Sequence, residues 1–292
     1  MKKLTGIFPA LITPFKPDGK VNGDMIQKLV TMNLEKGVSG FYVGGSTAES
    51  YLLSPSERKY ALEAVIEAVD GKADVIANIG LFATEHSMEL AEHAAKAGAT
   101  AISSVPPFYF PFTMEEYANY YVKIAEATGM PMIIYNIPAM SGVKFTDEDI
   151  ERLFENDKIA GMKHTSFDLF QLQRVISHYP KKNIFIGHDE ILLSAFAVGA
   201  RAAIGSTFNF MAEKFIKIAS LVDNNQMAEA LKIQDEANEV IHELCRIGVF
   251  KGVKAALKLQ GYDCGTCREP FLPLAKEDEE SLKTVLMKNG CL

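Results

Sequence analysis

Eight times along this chain, a short run rich in β-branched residues and glycine gives way to a longer amphipathic segment. The runs are Gly6–Thr13, Gly40–Gly45, Asp74–Gly80, Ala101–Val105, Met132–Asn136, Ala160–Thr165, Asn183–His188 and Ala202–Ser206. After them, apolar residues at helical spacing predict helices near 24–36, 55–69, 84–97, 113–128, 146–155, 168–179, 190–199 and 209–223. Ser54 before Pro55, and Thr146 before three acidic residues, read as helix starts. Gly37, Gly71, Gly98 and Gly129 read as stops. Val75–Ile79 and Met132–Tyr135 are apolar throughout, as strands buried on both faces are. Parallel strands with helical crossovers make an open doubly wound sheet or a closed barrel. The count of eight and the absence of G-x-G-x-x-G after any strand favour an α/β fold of the (β/α)8 TIM-barrel type.

At about 150 residues per domain, the length of 292 suggests two domains. The strand signals nevertheless stop near residue 223, and helical patterns at 225–246, 248–260 and 277–289 follow with no low-complexity linker. The expectation is one structural domain, with a barrel over 1–223 and a C-terminal helical extension over 224–292 packed on it.

Composition removes several function classes. With 48% hydrophobic and 23% charged residues, the chain has ample material for a large core and is not a disordered one. Its net charge is −7 and no stretch interleaves basic and aromatic residues, which leaves nucleic acid without an electrostatic footprint. The most apolar runs, Met130–Met140 and Ile191–Ala200, fall short of the roughly 18 residues that cross a bilayer. The start, Met1-Lys2-Lys3 and an apolar run, loosely mimics a signal peptide. Pro9 and Pro14 interrupt it, however, and no A-x-A site follows. Four cysteines without an export signal fit free thiols, so a cytoplasmic protein is expected.

In a barrel of this type, chemistry gathers at the C-terminal ends of the strands. The second strand ends in Gly44-Gly45-Ser46-Thr47-Ala48-Glu49, whose approachable N–H groups and paired hydroxyls suit an anion; a capped turn is the plainer alternative. The fifth ends in Tyr135-Asn136-Ile137-Pro138, where the tyrosine is a proton relay or a core aromatic. The sixth carries Lys163 near the end of an apolar strand, pointing either into the barrel or towards the helices. Burial disfavours an ammonium, and a neutral amine in a dry pocket forms Schiff bases with carbonyl compounds. The alternative is a lysine snorkelling to the strand end. The seventh ends in Gly187-His188-Asp189-Glu190, whose carboxylates could accept hydroxyls, hold a metal or cap a helix, and the eighth in Gly205-Ser206-Thr207. No His/Asp/Glu spacing completes a metal set. Cys264-x-x-Cys267 lies in a late loop without a second pair, so it is not read as redox or zinc chemistry. Ser46 lacks the G-x-S-x-G elbow of serine hydrolases. His86, His93, His178 and His242 read as surface or packing residues on helices.

Taken in order, these strand ends resemble the N-acetylneuraminate lyase / dihydrodipicolinate synthase family of class I aldolases. The resemblance starts at Gly6-Ile7-Phe8-Pro9-Ala10-Leu11 and runs through Gly44–Glu49, Tyr135–Pro138, Gly161–Thr165 and Gly205-Ser206-Thr207. It implies that Lys163 forms an imine with a 2-oxo acid, that Tyr135 shuttles the proton, and that Ser46 and Thr47 hold the substrate carboxylate. It also implies that Ser46 links Tyr135 to Tyr109 across a subunit interface, in a homotetramer built as a dimer of dimers. In the dihydrodipicolinate synthase branch an arginine follows the catalytic tyrosine. Met140 stands there instead and cannot fork a carboxylate. The sialate lyase branch is matched by Gly45-Ser46-Thr47, Gly187-x-Asp189-Glu190, Gly205-Ser206-Thr207 and Cys267-Arg268-Glu269-Pro270. On that resemblance Thr165, Gly187, Asp189, Glu190 and Ser206 bind the sugar, and sialic acid is cleaved to pyruvate and N-acetylmannosamine with no metal or cofactor beyond the imine. Two departures bear on substrate choice: Ala48 replaces the usual glycine, and His164 and His188 are unusual neighbours of the site. The rivals are an aldolase or dehydratase for another 2-keto-3-deoxy sugar acid, a dihydrodipicolinate synthase, and a silent 2-oxo acid sensor.

Overall fold

The eight apolar runs pair, each parallel to the next, in one sheet. The computed structural model describes residues 2–292. In chain order the elements of the repeat are β1 (Gly6–Pro9), α1 (Gly23–Glu35), β2 (Gly40–Val43), α2 (Pro55–Val69), β3 (Asp74–Asn78), α3 (Thr84–Ala97), β4 (Ala101–Ser104), α4 (Met114–Thr128), β5 (Met132–Asn136), α5 (Pro138–Ser141), α6 (Asp147–Phe154), β6 (Ile159–His164), α7 (Leu169–His178), β7 (Asn183–Ile186), α8 (Leu192–Ala197), β8 (Ala202–Gly205) and α9 (Phe208–Asp223). β1 pairs with β8, and the ring closes on β2 through Ser39 N–H to Ile7 O and Leu11 N–H to Tyr42 O, both 2.9 Å. This is a (β/α)8 barrel, as the alternation predicts. Three more helices follow: α10 (Met227–Ile247), α11 (Val249–Leu259) and α12 (Lys276–Lys288). α10 and α11 both pack on α9.

Local chemistry accounts for the element boundaries. Ser54, Thr113 and Thr146 each form a capping box, in which the hydroxyl takes the N–H three residues on and the acid there takes the cap's own N–H. α2 closes on Asp70 in the left-handed region at φ 48°, one residue before the expected Gly71. Strand β1 is shorter than its apolar run. Ala10 and Leu11 still bond Gly205 O and Tyr42 O, and beyond Leu11 the chain leaves the ladder for the barrel mouth, with Ile12 N–H to Asn209 Oδ1 at 3.1 Å and Thr13 Oγ1 to Ala48 O at 2.9 Å. The one-turn helix α5 was not foreseen.

The core forms two layers. Inside the barrel lie Phe8, Tyr42, Ile76, Ile133, Tyr135, Ala160, Phe185 and Ile204, all buried. A larger layer, including Phe41, Met132, Ile134, Ile159 and Met162, fills the space between strands and helices. One extra residue, Ala160, enters β6 between the pairs Met132–Ile159 and Ile133–Gly161. This bulge resets the in–out alternation for the rest of the strand.

Candidate active site

The bulge decides where Lys163 points. Ala160 faces the barrel interior, so strict alternation would turn Met162 inward and Lys163 out. With one residue looped, Met162 packs outward and Lys163 enters the barrel, 4% exposed. Its partner across the ladder is Tyr135. The Lys163 Nζ lies 4.0 Å from the Tyr135 ring centroid and 4.6 Å from that of Tyr42. Among the described residues no carboxylate pairs with it. An amine in such aromatic walls can approach a carbonyl carbon once deprotonated, and its cation is accommodated by ring faces rather than by a carboxylate.

Tyr42 is fully buried, packs edge-on against Tyr135 with centroids 5.9 Å apart, and donates to Ser103 Oγ at 3.0 Å. Burial, reinforced by the neighbouring Tyr135, holds its phenol well above the ordinary range, so it stays a neutral wall of the pocket. The sequence reading missed Tyr42. Its position on β2 in the same inward register as Tyr135 on β5 was the available signal.

The strand ends close round this lysine. Gly187 sits so tightly against it that an added Cβ would lie 3.0 Å from Lys163 Cε and 1.9 Å from Thr165 Oγ1. Thr165 Oγ1 is buried and, among the described residues, has no hydrogen-bond partner, which leaves a hydroxyl free beside the amine. Across the mouth, Thr47 Oγ1 and Ser206 Oγ are 2.7 Å apart and tie the β2 turn to the end of β8. Ser46 and Thr47 begin a single 3-10 turn after Gly45. A Cβ on Gly45 would strike the Tyr42 ring at 2.6 Å, so the glycine lets the turn settle on that ring.

Asp189 and Glu190 differ in role. Asp189 Oδ2 accepts both the N–H and the hydroxyl of Thr207, at 2.9 and 2.7 Å, ahead of α9. Burial pushes its carboxyl up to about 6, against the pull of the Thr207 bonds and of Lys163. This oxygen therefore ties the end of β7 to the end of β8; it caps neither α8 nor α9, which carry no side-chain cap. Glu190 faces His188, with Oε1 3.0 Å from Nδ1. Burial raises the Glu190 carboxyl, but the His188 bond, its own N–H and the His188 charge outweigh that and leave it below the ordinary range. His188 stacks on Phe167, with centroids 4.2 Å apart.

Two expected neighbours lie elsewhere. His164 follows Lys163 and so faces away from the barrel, 1% exposed, with Nε2 3.1 Å from Asp168 O. The alternation of the strand removes it from the site, and burial lowers its imidazole below the ordinary value. Tyr109 is 75% exposed and touches Phe82 and Phe110 rather than Tyr135. The C-x-x-C thiols are not poised for chemistry, since burial pushes both Cys264 and Cys267 up to about 12.

A cavity of about 380 Å³ opens beside the lysine pocket, lined by Ser46, Val105, Phe108, Ile137, Met140 and Phe271 among others. It meets the site at Ser46; Lys163 and Tyr135 do not line it.

The model of the dihydrodipicolinate synthetase family matches residues 3–289. An N-acetylneuraminate lyase of Enterobacter sp. (strain 638) is 39% identical over 286 residues, which is 97% of this chain and 96% of that protein. A Clostridium difficile protein solved in complex with mannosamine superposes with a TM-score of 0.95 at 35% identity, covering 99% of this chain and 100% of that one. A Ruminococcus gnavus sialic acid aldolase, solved as a catalytic lysine mutant, gives 0.95 at 32% identity, covering 98% and 96%. Taken with the barrel and its buried strand-six lysine, these matches place the chain in the dihydrodipicolinate synthetase family.

Proposed function

We propose that the chain is a lyase that cleaves N-acetylneuraminate reversibly to pyruvate and N-acetylmannosamine through an imine on Lys163. The observation that carries this reading is the unpaired Lys163 amine buried between the Tyr42 and Tyr135 rings. Relatives named as N-acetylneuraminate lyases, and a sialic acid aldolase solved as a catalytic lysine mutant, support it. So does Met140, where a second substrate carboxylate would need an arginine.

Lys163 Nζ adds to the C2 carbonyl of the open-chain sugar acid, and loss of water gives the protonated imine. Tyr135 takes the C4 hydroxyl proton as the C3–C4 bond breaks, and the bonding pair flows into the imine to give an enamine. N-acetylmannosamine leaves as the aldehyde. Protonation at C3 and hydrolysis then free pyruvate and restore the amine. The imine itself is the electron sink, so the reaction calls for no metal or other cofactor. Ser46 and Thr47 hold the carboxylate, with Tyr109 of a neighbouring copy completing the proton relay in a homotetramer built as a dimer of dimers. Thr165, Gly187, Asp189, Glu190 and Ser206 receive the sugar chain, Asp189 through its remaining oxygen. The free thiols fit a cytoplasmic setting.

Borohydride reduction in the presence of pyruvate, with mass mapping, tests the imine. The expected adduct lies on Lys163, and Lys163→Ala should fold normally yet lose both adduct and turnover. An adduct at another lysine, or retained turnover in Lys163→Ala, refutes the assignment. A coupled assay of pyruvate release from N-acetylneuraminate tests the substrate, and no release above background would redirect the reading to another 2-keto-3-deoxy sugar acid.

A further inference from the structure

The turn that carries Ser46 and Thr47 is held from outside the barrel. Glu49, two residues on, sits at φ 57°, ψ 34°, a left-handed conformation that few residues with a Cβ adopt and that buried surroundings here hold in place. Those surroundings come from the C-terminal extension. Glu49 Oε1 lies 2.7 Å from the Nζ of Lys254 on α11, with side-chain exposures of 0% and 3%. Its Oε2 accepts the backbone N–H of Arg268 at 2.7 Å. Lys254 also donates to Thr266 O at 3.1 Å and lies 4.2 Å from the Phe15 ring centroid. The Arg268 guanidinium stands 4.5 Å from the same centroid, forks the Glu57 carboxylate, and donates to Leu52 O at 2.9 Å and Gly19 O at 2.8 Å.

A fully buried ion pair adds little net stability compared with apolar residues of the same volume. What it does impose is geometry, because breaking it strands a charge in a dry interior. The pair here lies behind the turn whose Ser46 and Thr47 are proposed above to hold the substrate carboxylate. We propose that Glu49 and Lys254 are positioning residues through which the C-terminal extension sets the Gly44–Ala48 turn to receive the carboxylate of a 2-oxo acid. The inference rests on the reading of Lys163 as the imine-forming amine. It gives residues 249–268 a part in catalysis although none of these clamp contacts reaches Lys163.

The test compares two carbonyl compounds. Pyruvate needs both Lys163 and the turn; acetone offers a carbonyl but no carboxylate and needs Lys163 alone. Borohydride trapping on Lys163 is titrated with each in the full-length protein, in Glu49→Gln, and in Glu49→Gln/Lys254→Met. The double variant leaves no unpaired buried charge and carries the test if the single variant does not fold. Half-saturating pyruvate should rise about tenfold in the variants, the loss of one hydrogen bond to a charged group, while that for acetone stays unchanged. A shift common to both compounds, as a merely structural role gives, or no shift in either, overturns the proposal. If the unaltered protein traps neither compound on Lys163, the imine reading falls first and takes this proposal with it.

Discussion

Replacing Gly187 by alanine tests how tightly the strand ends close on the reactive amine. The backbone there is not in the left-handed region, so the new methyl group, and not backbone strain, is what is measured. That methyl would lie 1.9 Å from Thr165 Oγ1, 2.9 Å from Thr165 Cβ and 3.0 Å from Lys163 Cε. With 3.0 Å as the closest tolerated approach, Thr165 must withdraw by roughly 1 Å. A change of Thr165 rotamer would move its hydroxyl out of place, and Thr165 Cβ at 2.9 Å and Lys163 Cε at 3.0 Å would remain at the limit of contact. Overpacking of this size costs about 1–3 kcal/mol, a fraction of the roughly 5–15 kcal/mol that holds a domain together, so the barrel should fold. A 1 Å displacement of a group that positions the substrate, here the Thr165 hydroxyl, costs about 10²-fold in rate. The expectation is therefore a modest drop in melting temperature with kcat/KM for pyruvate release down about a hundredfold, and slowed borohydride trapping. Alanine at 187 with kcat/KM within about threefold of the unaltered protein would refute the close packing of Gly187, Thr165 and Lys163.

Two further outcomes follow from the electrostatics. The Arg268 fork and the Ser54 cap hold the Glu57 carboxyl down at about 2, from an ordinary 4.5. A folded-state value below the unfolded one means that the stabilisation is fully present above pH 4.5 and is lost as pH falls towards 2. Glu57→Gln should thus melt lower than the unaltered protein at pH 7, with the gap closing through that acid window; a gap independent of pH refutes the pairing. Among the thiols, Cys245 is exposed, whereas Cys264 and Cys291 are buried and Cys264 and Cys267 are held protonated. Iodoacetamide at pH 8 should therefore alkylate Cys245 first in the folded protein, by peptide mapping, and earlier labelling of Cys264 or Cys267 would contradict their raised thiols.

The barrel was legible in the sequence because its signal is local and repeated. A strand buried on both faces reads as an unbroken apolar run, an amphipathic helix reads as a period of 3.6, and eight alternations leave few architectures. The boundaries were less legible where side chains from afar decide them. Ile12 and Thr13 continue the run of the first strand but are drawn out of the ladder by Asn209 and Ala48. Lys163 stood out because a lysine near the end of an apolar strand is chemically conspicuous, whereas Tyr135, equally readable as a core aromatic, took its role from the family resemblance. Glu49 and Lys254 did not stand out, because each alone looks like an ordinary helix or turn charge, and the Arg268 N–H that meets Glu49 is 219 residues away in sequence.

Sequence by itself determined the repeating unit, the number of strands, the absence of a transmembrane run and the residue types available at the barrel mouth. It could not determine which face of β6 carries Lys163, and it left the barrel interior and the helical layer equally open. Tertiary structure decided that through the one-residue bulge at Ala160, which turns Lys163 inward and His164 out. The physical reason is that alternation along a strand is a local rule, whereas register is set by the neighbouring strands, and a single extra residue exchanges every face beyond it.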